Sequence, residues 1–569
     1  MSIKIAFINP PQIFSKSQVA SGLTPPLGVA YLASYLLAKN IPVQVIDALG
    51  EAPETINFFR KGAHLRGLGF DEITRRIDFD VQLIGISNLF SFAYPAVESL
   101  CQEIRKSHPD KKIILGGPHP SAMFRTILET VPEVDFVALG EGEQSLFRLI
   151  KYLEGELKLD DLTGIALRDS GGSVIQLNST KRILNLNQEQ VPFPARHLLP
   201  MENYILAQES HGPSSGRWTS MLSSRGCPYG CTFCESRRTK WIGRSAKDVV
   251  DEMEHCINEY GITEFHFEDD MMTANKARLI EICDEILQRR LNVRWQTPNG
   301  IRASLTDPEM LAKMKVSGCM HITLAPESGS MRVLKEIIVK GADFELEQLR
   351  TCGEVAHKIG LKVAAYFILG LPGERVDDMK KTIRYARKLA KAGVDEAAFS
   401  LFIPLPGTPL WDKVKDQLPG VDLLDLLAIG DLSKAKSWNP QISDEKLHSI
   451  RRKAYLTFHL TRLFYHPRAF LKSFFNVLRD VEETKTERTL RQFLKRFNIK
   501  NKKFSGAHAS DFKTDLNAYP YDAATTLKIL MQNKPNQAYS NSLLKAYHLV
   551  VNDLFGGGES KKKNKTTKV

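Results

Sequence analysis

Five short apolar runs recur between residues 1 and 150, at Lys4 to Ile8, Val43 to Ile46, Leu83 to Ile86, Lys112 to Leu115 and Phe136 to Leu139. Helix-length amphipathic stretches, such as Gly28 to Ala38 and Ala96 to Ile104, lie between them. Strands this short and this apolar, separated by helical segments, predict an α/β fold: parallel strands with crossover helices, doubly wound in the flavodoxin-like manner. A ligand of such a sheet sits beyond the C-terminal ends of its strands. Residues 151–215 are less periodic, contain Pro192-Phe193-Pro194, and read as a bridging segment. A second βα series fills 216–430, with strands expected to end near Ser223, Phe267, Gln296, Leu324, Leu369 and Ile403. Six such units predict a partial (β/α)6 barrel with its working residues at the strand ends. The pattern over 431–555 is helical, basic and aromatic, and 556–569 forms a Gly- and Lys-rich tail expected to be disordered.

A chain of 569 residues with 43% apolar and 25% charged content is too long for one core. The eight cysteines do not form a secretory framework, since three are bunched within eight residues and the rest are scattered. No apolar run reaches the roughly 20 residues that span a bilayer. The first residues read as a strand rather than a signal peptide, so a cytoplasmic location is expected. Much of the +12 charge lies after residue 440 and in the terminal lysines, which points to a solvated tail and not to nucleic acid.

The bunched cysteines stand in Arg225-Gly226-Cys227-Pro228-Tyr229-Gly230-Cys231-Thr232-Phe233-Cys234, directly after a predicted strand. C-x3-C-x2-C lets Cys227, Cys231 and Cys234 converge on one metal group from a single loop. A zinc site would need a fourth protein ligand, such as His255 or Cys256. Three thiolates on a 4Fe-4S cluster instead leave one iron open to a cofactor. The motif, with the aromatic Phe233 before its last cysteine, resembles that of the radical SAM superfamily, whose open iron chelates S-adenosyl-L-methionine (SAM).

The later strand ends resemble the same superfamily in order. Glu268, Asp269 and Asp270 stand where its members meet the amino group of SAM. Asn299 and Arg302 follow the third strand, at another SAM contact. Glu327 and Ser328 match the ribose and carboxylate segment, although Ala325 and Pro326 replace the more usual Gly and Ile. Gly370 and Pro372 lie in the adenine-side turn. Singly, an acidic pair is equally a helix cap and a Pro-Gly pair only a turn. Their succession at consecutive strand ends is what implies one site.

The first domain lacks G-x-G-x-x-G after its first strand, which counts against a dinucleotide. It resembles the cobalamin-binding domains that precede some radical SAM barrels, through Thr24 to Gly28, Ser87-Asn88-Leu89 and Gly116-Gly117-Pro118-His119. The resemblance implies cobalamin contacts from Asp47, Leu49, Ser87, Leu89, Gly116, Gly117 and His119. Leu49 stands where the wider cobalamin fold has its cobalt-ligating His, which implies cobalamin without that lower ligand and a methyl group more readily given up. His119 is either a replacement ligand or, as a His between two prolines in a loop, a wall of the pocket or simply exposed. Gly140-Glu141-Gly142-Glu143 reads as a helix cap.

The resemblance, spanning residues 1 to about 430, implies a cobalamin-dependent radical SAM enzyme, class B type. Such an enzyme cleaves SAM to a 5′-deoxyadenosyl radical and, most commonly, methylates an unactivated carbon. A radical ring closure of the anaerobic cyclase type is the alternative. An RNA methylthiotransferase would carry three cysteines in its first domain, where this chain has only Cys101. The expected partners are a small-molecule or lipid substrate and an electron donor such as a flavodoxin or ferredoxin. Leu456 to Leu478 mixes large apolar and basic residues. It reads either as a helix packed over the barrel mouth or as a peripheral membrane contact.

Overall fold

The computed structural model describes residues 3–496, except 16–21, 61, 178–185, 188–189, 342, 418–422, 425, 427–435 and 480. The end of the helical region and the basic tail lie outside the described residues. The N-terminal sheet contains β1 (Lys4–Asn9), β2 (Val43–Asp47), β3 (Val81–Ser87), β4 (Lys112–Gly116), β5 (Phe136–Ala138), β6 (Ile165–Arg168) and β7 (Val174–Gln176). Its order is β7-β6-β5-β4-β3-β1-β2. The first five strands are parallel, and the last two join as an antiparallel hairpin. That hairpin comes from the stretch read as a bridge, so the first sheet is longer than its parallel part announced.

The central strand β3 buries Val81 and Leu83 to Ile86 because helices cover both faces of the sheet. α1 (Leu27–Leu37) and α4 (Gly142–Leu153) pack on one face, around Phe7, Leu36, Ile114 and Leu149. α2 (Tyr94–Ser107) and α3 (Pro118–Thr130) pack on the other, around Ile84, Leu100, Cys101 and Leu128. The chain reverses direction between β1 and β3, the switch point where doubly wound sheets open a crevice.

The second sheet runs in simple order through β8 (Trp218–Met221), β9 (Glu264–Phe267), β10 (Arg294–Ile301), β11 (Cys319–Glu327), β12 (Lys362–Leu369) and β13 (Glu396–Leu401), all parallel. Crossover helices begin where the sequence supplies a cap. Ser245, Asn275 and Asp307 accept the amides of Asp248, Arg278 and Met310, starting α5 (Ala246–Tyr260), α6 (Lys276–Gln288) and α7 (Pro308–Val316). β10 and β11 run further than expected, with irregular register beyond Thr297 and Leu324. Asn299 and Glu327 therefore lie within the bulged strand ends.

β8 and β13 stand at opposite edges of this sheet, and the C-terminal region reaches both sides of the gap between them. Glu482 accepts the amide of Ser214, and Arg488 donates to the carbonyl oxygens of Ser210 and Gly212, all just before β8. Thr486 donates its amide to Glu396 at the start of β13, 3.0 Å away. No helix among the described residues is long and apolar enough to cross a membrane.

Candidate active site

The cysteine loop follows β8 and is held by backbone bonds from three directions. Cys227 donates its amide to Thr239 Oγ1 at 2.9 Å, Thr232 donates to the Ile338 carbonyl at 2.9 Å, and Leu410 donates to the Thr232 carbonyl at 3.2 Å. All three cysteines are free and half-buried. Burial raises their thiols, Cys234 to about 12, so the side chains stay neutral until a metal displaces the proton. Among the described residues no three His, Cys, Asp or Glu gather closely enough to hold a single ion. A cubane, whose ligated irons occupy separate corners, suits thiols spread along one loop. Phe233 packs beneath them against the barrel core.

The acidic residues after β9 divide their work. Asp269 is buried, and its oxygens accept the Ser223 amide at 2.8 Å, the Ser223 hydroxyl at 2.6 Å and the Ser224 hydroxyl. Asp270 accepts the Gly226 amide at 3.2 Å and the Ser236 hydroxyl at 2.7 Å. Both carboxylates thus brace the loop that carries the thiols, a different task from the SAM contact expected of them. Glu268 binds His211 Nδ1 at 2.9 Å through one oxygen, while its other oxygen is buried without a partner. Of the three it is the one with an acceptor to offer a cation.

Asn299 is exposed and donates to the Glu268 carbonyl at 2.8 Å. Arg302 is buried, with its guanidinium 3.6 Å from the Tyr229 ring centre and 2.7 Å from Asp343, so it pins the thiol loop from above. Glu327 has φ of +62°, a strained value for a non-glycine residue, and pairs with Lys340 at 3.0 Å. Ser328 is buried and bonds Thr382 at 3.1 Å. Gly370 adopts φ of +82° and donates its amide to Glu374 at 2.7 Å, with Pro372 two positions on in the same turn. The strand-end segments named from the sequence therefore ring one barrel mouth, although several of their side chains hold one another.

The first sheet opens at its switch point into a cavity of about 220 Å³. Ser87, Leu89, Gly116 and Gly117 line it, joined by Phe7, Gly28, Gly85, Gly140 and Gly142. Two of these glycines are held in place by close neighbours. A Cβ on Gly117, which has φ of +117°, would lie 2.3 Å from the Asn88 carbonyl oxygen, and one on Gly142 would lie 2.9 Å from Leu32. The apolar wall and open glycine floor fit the heterocyclic tail of a corrinoid. Asp47, Leu49 and His119 are not among the residues that line this cavity. Asp47 is buried against Asn9, Tyr204 and the Gly50 amide, and Leu49 packs with Leu23 and Tyr204. His119 bonds Ser91 at 2.9 Å beside Tyr94, and burial drops its pKa to about 4. Gly140 to Glu143, read as a cap, are cavity wall; glycines immediately after a strand were the available signal.

Arg225 was not singled out from the sequence. It precedes Gly226 and Cys227 on the thiol loop, yet it lines the cavity, pairs with buried Glu143 at 2.7 Å and covers the Tyr31 ring at 5.0 Å. Behind it, Arg244 donates to Tyr31 at 3.5 Å and pairs with Glu252, which also holds buried Arg196 of the bridge at 2.7 Å. One chain of buried charges thus joins the two domains.

A switch-point cavity beside a barrel mouth that carries three unpaired thiols defines a two-cofactor enzyme, with a nucleotide-like ligand in one domain and a metal cluster in the other. Residues 18–150 match the B12 binding domain and residues 221–386 the radical SAM superfamily. The chain is 30% identical over 480 residues to an uncharacterised methyltransferase of Pyrococcus horikoshii, covering 83% of this chain and 95% of that one. It is 31% identical to the cytidylyl-2-hydroxyethylphosphonate methyltransferase of Streptomyces wedmorensis, covering 72% and 80%. It is 26% identical to the anaerobic magnesium-protoporphyrin IX monomethyl ester cyclase of Rubrivivax gelatinosus, covering 81% and 80%. The fold is similar to that of the radical SAM methyltransferase TsrM of Kitasatospora setae, at a TM-score of 0.58 and 18% identity over 74% of this chain and 79% of that one. The chain belongs to the family of radical SAM enzymes with a B12-binding domain. Its cofactors are a 4Fe-4S cluster, SAM and cobalamin.

Proposed function

We propose that this enzyme methylates an unactivated carbon of a small organic molecule, using cobalamin as the methyl carrier and an external flavodoxin or ferredoxin as electron donor. The observation that carries the reading is the position of Arg225, at once part of the thiol loop and wall of the cobalamin cavity. When bound, the cluster and SAM supply a radical able to take hydrogen from carbon, and cobalamin supplies the methyl group. The chain's own residues bring those activities to one place. Cys227, Cys231 and Cys234 would hold the cluster, and Asp269 and Asp270 keep their loop in position. Glu268 offers a carboxylate oxygen to the cationic end of SAM, and Gly370 with Pro372 borders its adenine side. Ser87, Leu89, Gly116 and Gly117 would bound the corrinoid. In sequence, Leu49 stands where the wider cobalamin fold that this domain resembles carries a cobalt-ligating His, so the chain offers no imidazole at that position. Two relatives named for small organic substrates support that substrate class.

A second reading, ring closure, is favoured by the similarity to the Rubrivivax cyclase. Product mass separates the two. Anaerobic protein supplied with SAM carrying a labelled methyl group is incubated with a cell extract. Methylation is seen as one labelled methyl gained, whereas closure adds none. Cys231→Ala is expected to abolish formation of 5′-deoxyadenosine, and undiminished formation would overturn the cluster assignment.

A further inference from the structure

α10 (Asp444–Tyr465) carries apolar residues on two opposite sides. Leu447, Ile450, Ala454 and Phe458 are buried toward the barrel, as packing against β13 and α9 (Val376–Lys391), the helix after α8 (Leu346–Lys358), requires. Leu456, Leu460, Leu463 and Phe464 point the other way and are 61%, 55%, 40% and 80% exposed. Positions 456, 460 and 463 keep the i, i+4, i+7 spacing, about half a turn from the buried line. α11 (Pro467–Leu478) adds Leu471 and Phe475, both more than half exposed. A surface helix in water places polar residues opposite its core; this one places leucine and phenylalanine there.

The charge around that stripe is of one sign. Between Lys446 and Arg479 the chain holds eight Lys and Arg and no Asp or Glu. Arg462 turns inward to Asp395, and Arg451 is buried. Arg452, Lys453, Arg468, Lys472 and Arg479 are exposed, and among the described residues only Lys472 is given to an acidic neighbour, Glu483 at 2.7 Å. Arg452 and Lys453 fall on either side of the line through Leu456 and Leu460.

We propose that the outer face of α10 and α11 is a docking surface for an anionic lipid bilayer. Large apolar side chains enter the boundary between headgroups and acyl chains, and flanking cations meet lipid phosphates. The same layout would put phenylalanine and leucine permanently in water if the face had no occupant. The proposal stands apart from the reaction assigned above, and its failure would leave that reading untouched.

Full-length protein is sedimented with vesicles of phosphatidylcholine alone or with about 30% phosphatidylglycerol, at low and high salt. Binding is expected to the anionic vesicles, weakening with salt. The double substitution Leu460→Ser, Phe464→Ser lowers the partition at least about tenfold. Arg452→Glu with Lys453→Glu has a similar effect, while circular dichroism and 5′-deoxyadenosine formation stay unchanged in both. Absence of binding to either vesicle would overturn the proposal. So would unaltered binding by both variants, or lipid-free self-association that the same substitutions dissolve, which would make a second copy the occupant.

Discussion

Glu374 closes the turn after β12, where one carboxylate oxygen accepts the amides of Gly370 and Leu371 at 2.7 and 3.2 Å and the other is buried without a partner. Burial raises its pKa from 4.5 to about 8. At neutral pH the folded protein therefore keeps a proton that the unfolded chain releases. The stability this supplies is complete below the unfolded value and is lost as pH climbs through the folded one. Between those limits the slope is about 1.4 kcal/mol per pH unit, and from pH 5 to 8 it sums to about 3 to 4 kcal/mol. Glu374→Gln keeps the shape and an oxygen for the two amides but cannot titrate. Its unfolding free energy should match that of the wild type near pH 5 and exceed it by about that amount at pH 8. Urea titrations of the metal-free protein across this range, followed by circular dichroism, make the comparison. Parallel pH profiles for the two proteins would refute the argument, since they would require Glu374 to be ionised in the folded state throughout.

Removing Arg225 strands the buried Glu143 carboxylate, and Arg225→Ala should cost about 3 to 5 kcal/mol in urea unfolding, most of it restored by adding Glu143→Gln. Gly117→Ala forces a side chain against the Asn88 carbonyl at a positive φ. A titration with hydroxocobalamin followed by absorbance should show affinity down at least about tenfold, and wild-type affinity would remove Gly117 from the cobalamin site. Asp269→Asn replaces an acceptor-only group with one that must also donate, facing Ser223 and Ser224. Iron content after anaerobic reconstitution should fall while thiol content stays the same, and full iron loading would rule out a bracing role.

Features set by neighbours along the chain are legible in the order of residues alone. Cys227, Cys231 and Cys234 lie on one loop, so their spacing by itself confines the three thiols to one short stretch of chain. The parallel strands announce themselves as apolar runs, and the order of segments after β9 to β12 follows from the barrel winding. The hairpin β6–β7 was hidden because its strands are short and its outer residues half-exposed. Which side chains meet across the fold was a different matter. Asp269 and Glu268 are adjacent acids in the sequence, yet one is consumed by two serines and the other keeps an unpartnered oxygen. Asp47, expected beside cobalamin, binds Tyr204, which the bridging segment carries in, a partner that spacing did not announce. Arg225 reads as one more basic residue until the domains dock and place it against Glu143. Periodicity and spacing act through the backbone over a few residues, so the sequence by itself determined the strands, the helices and the thiol loop. Partner choice for a buried charge depends on which distant element excludes water from it, and only the docking of the two sheets and the returning C-terminal helices decided that.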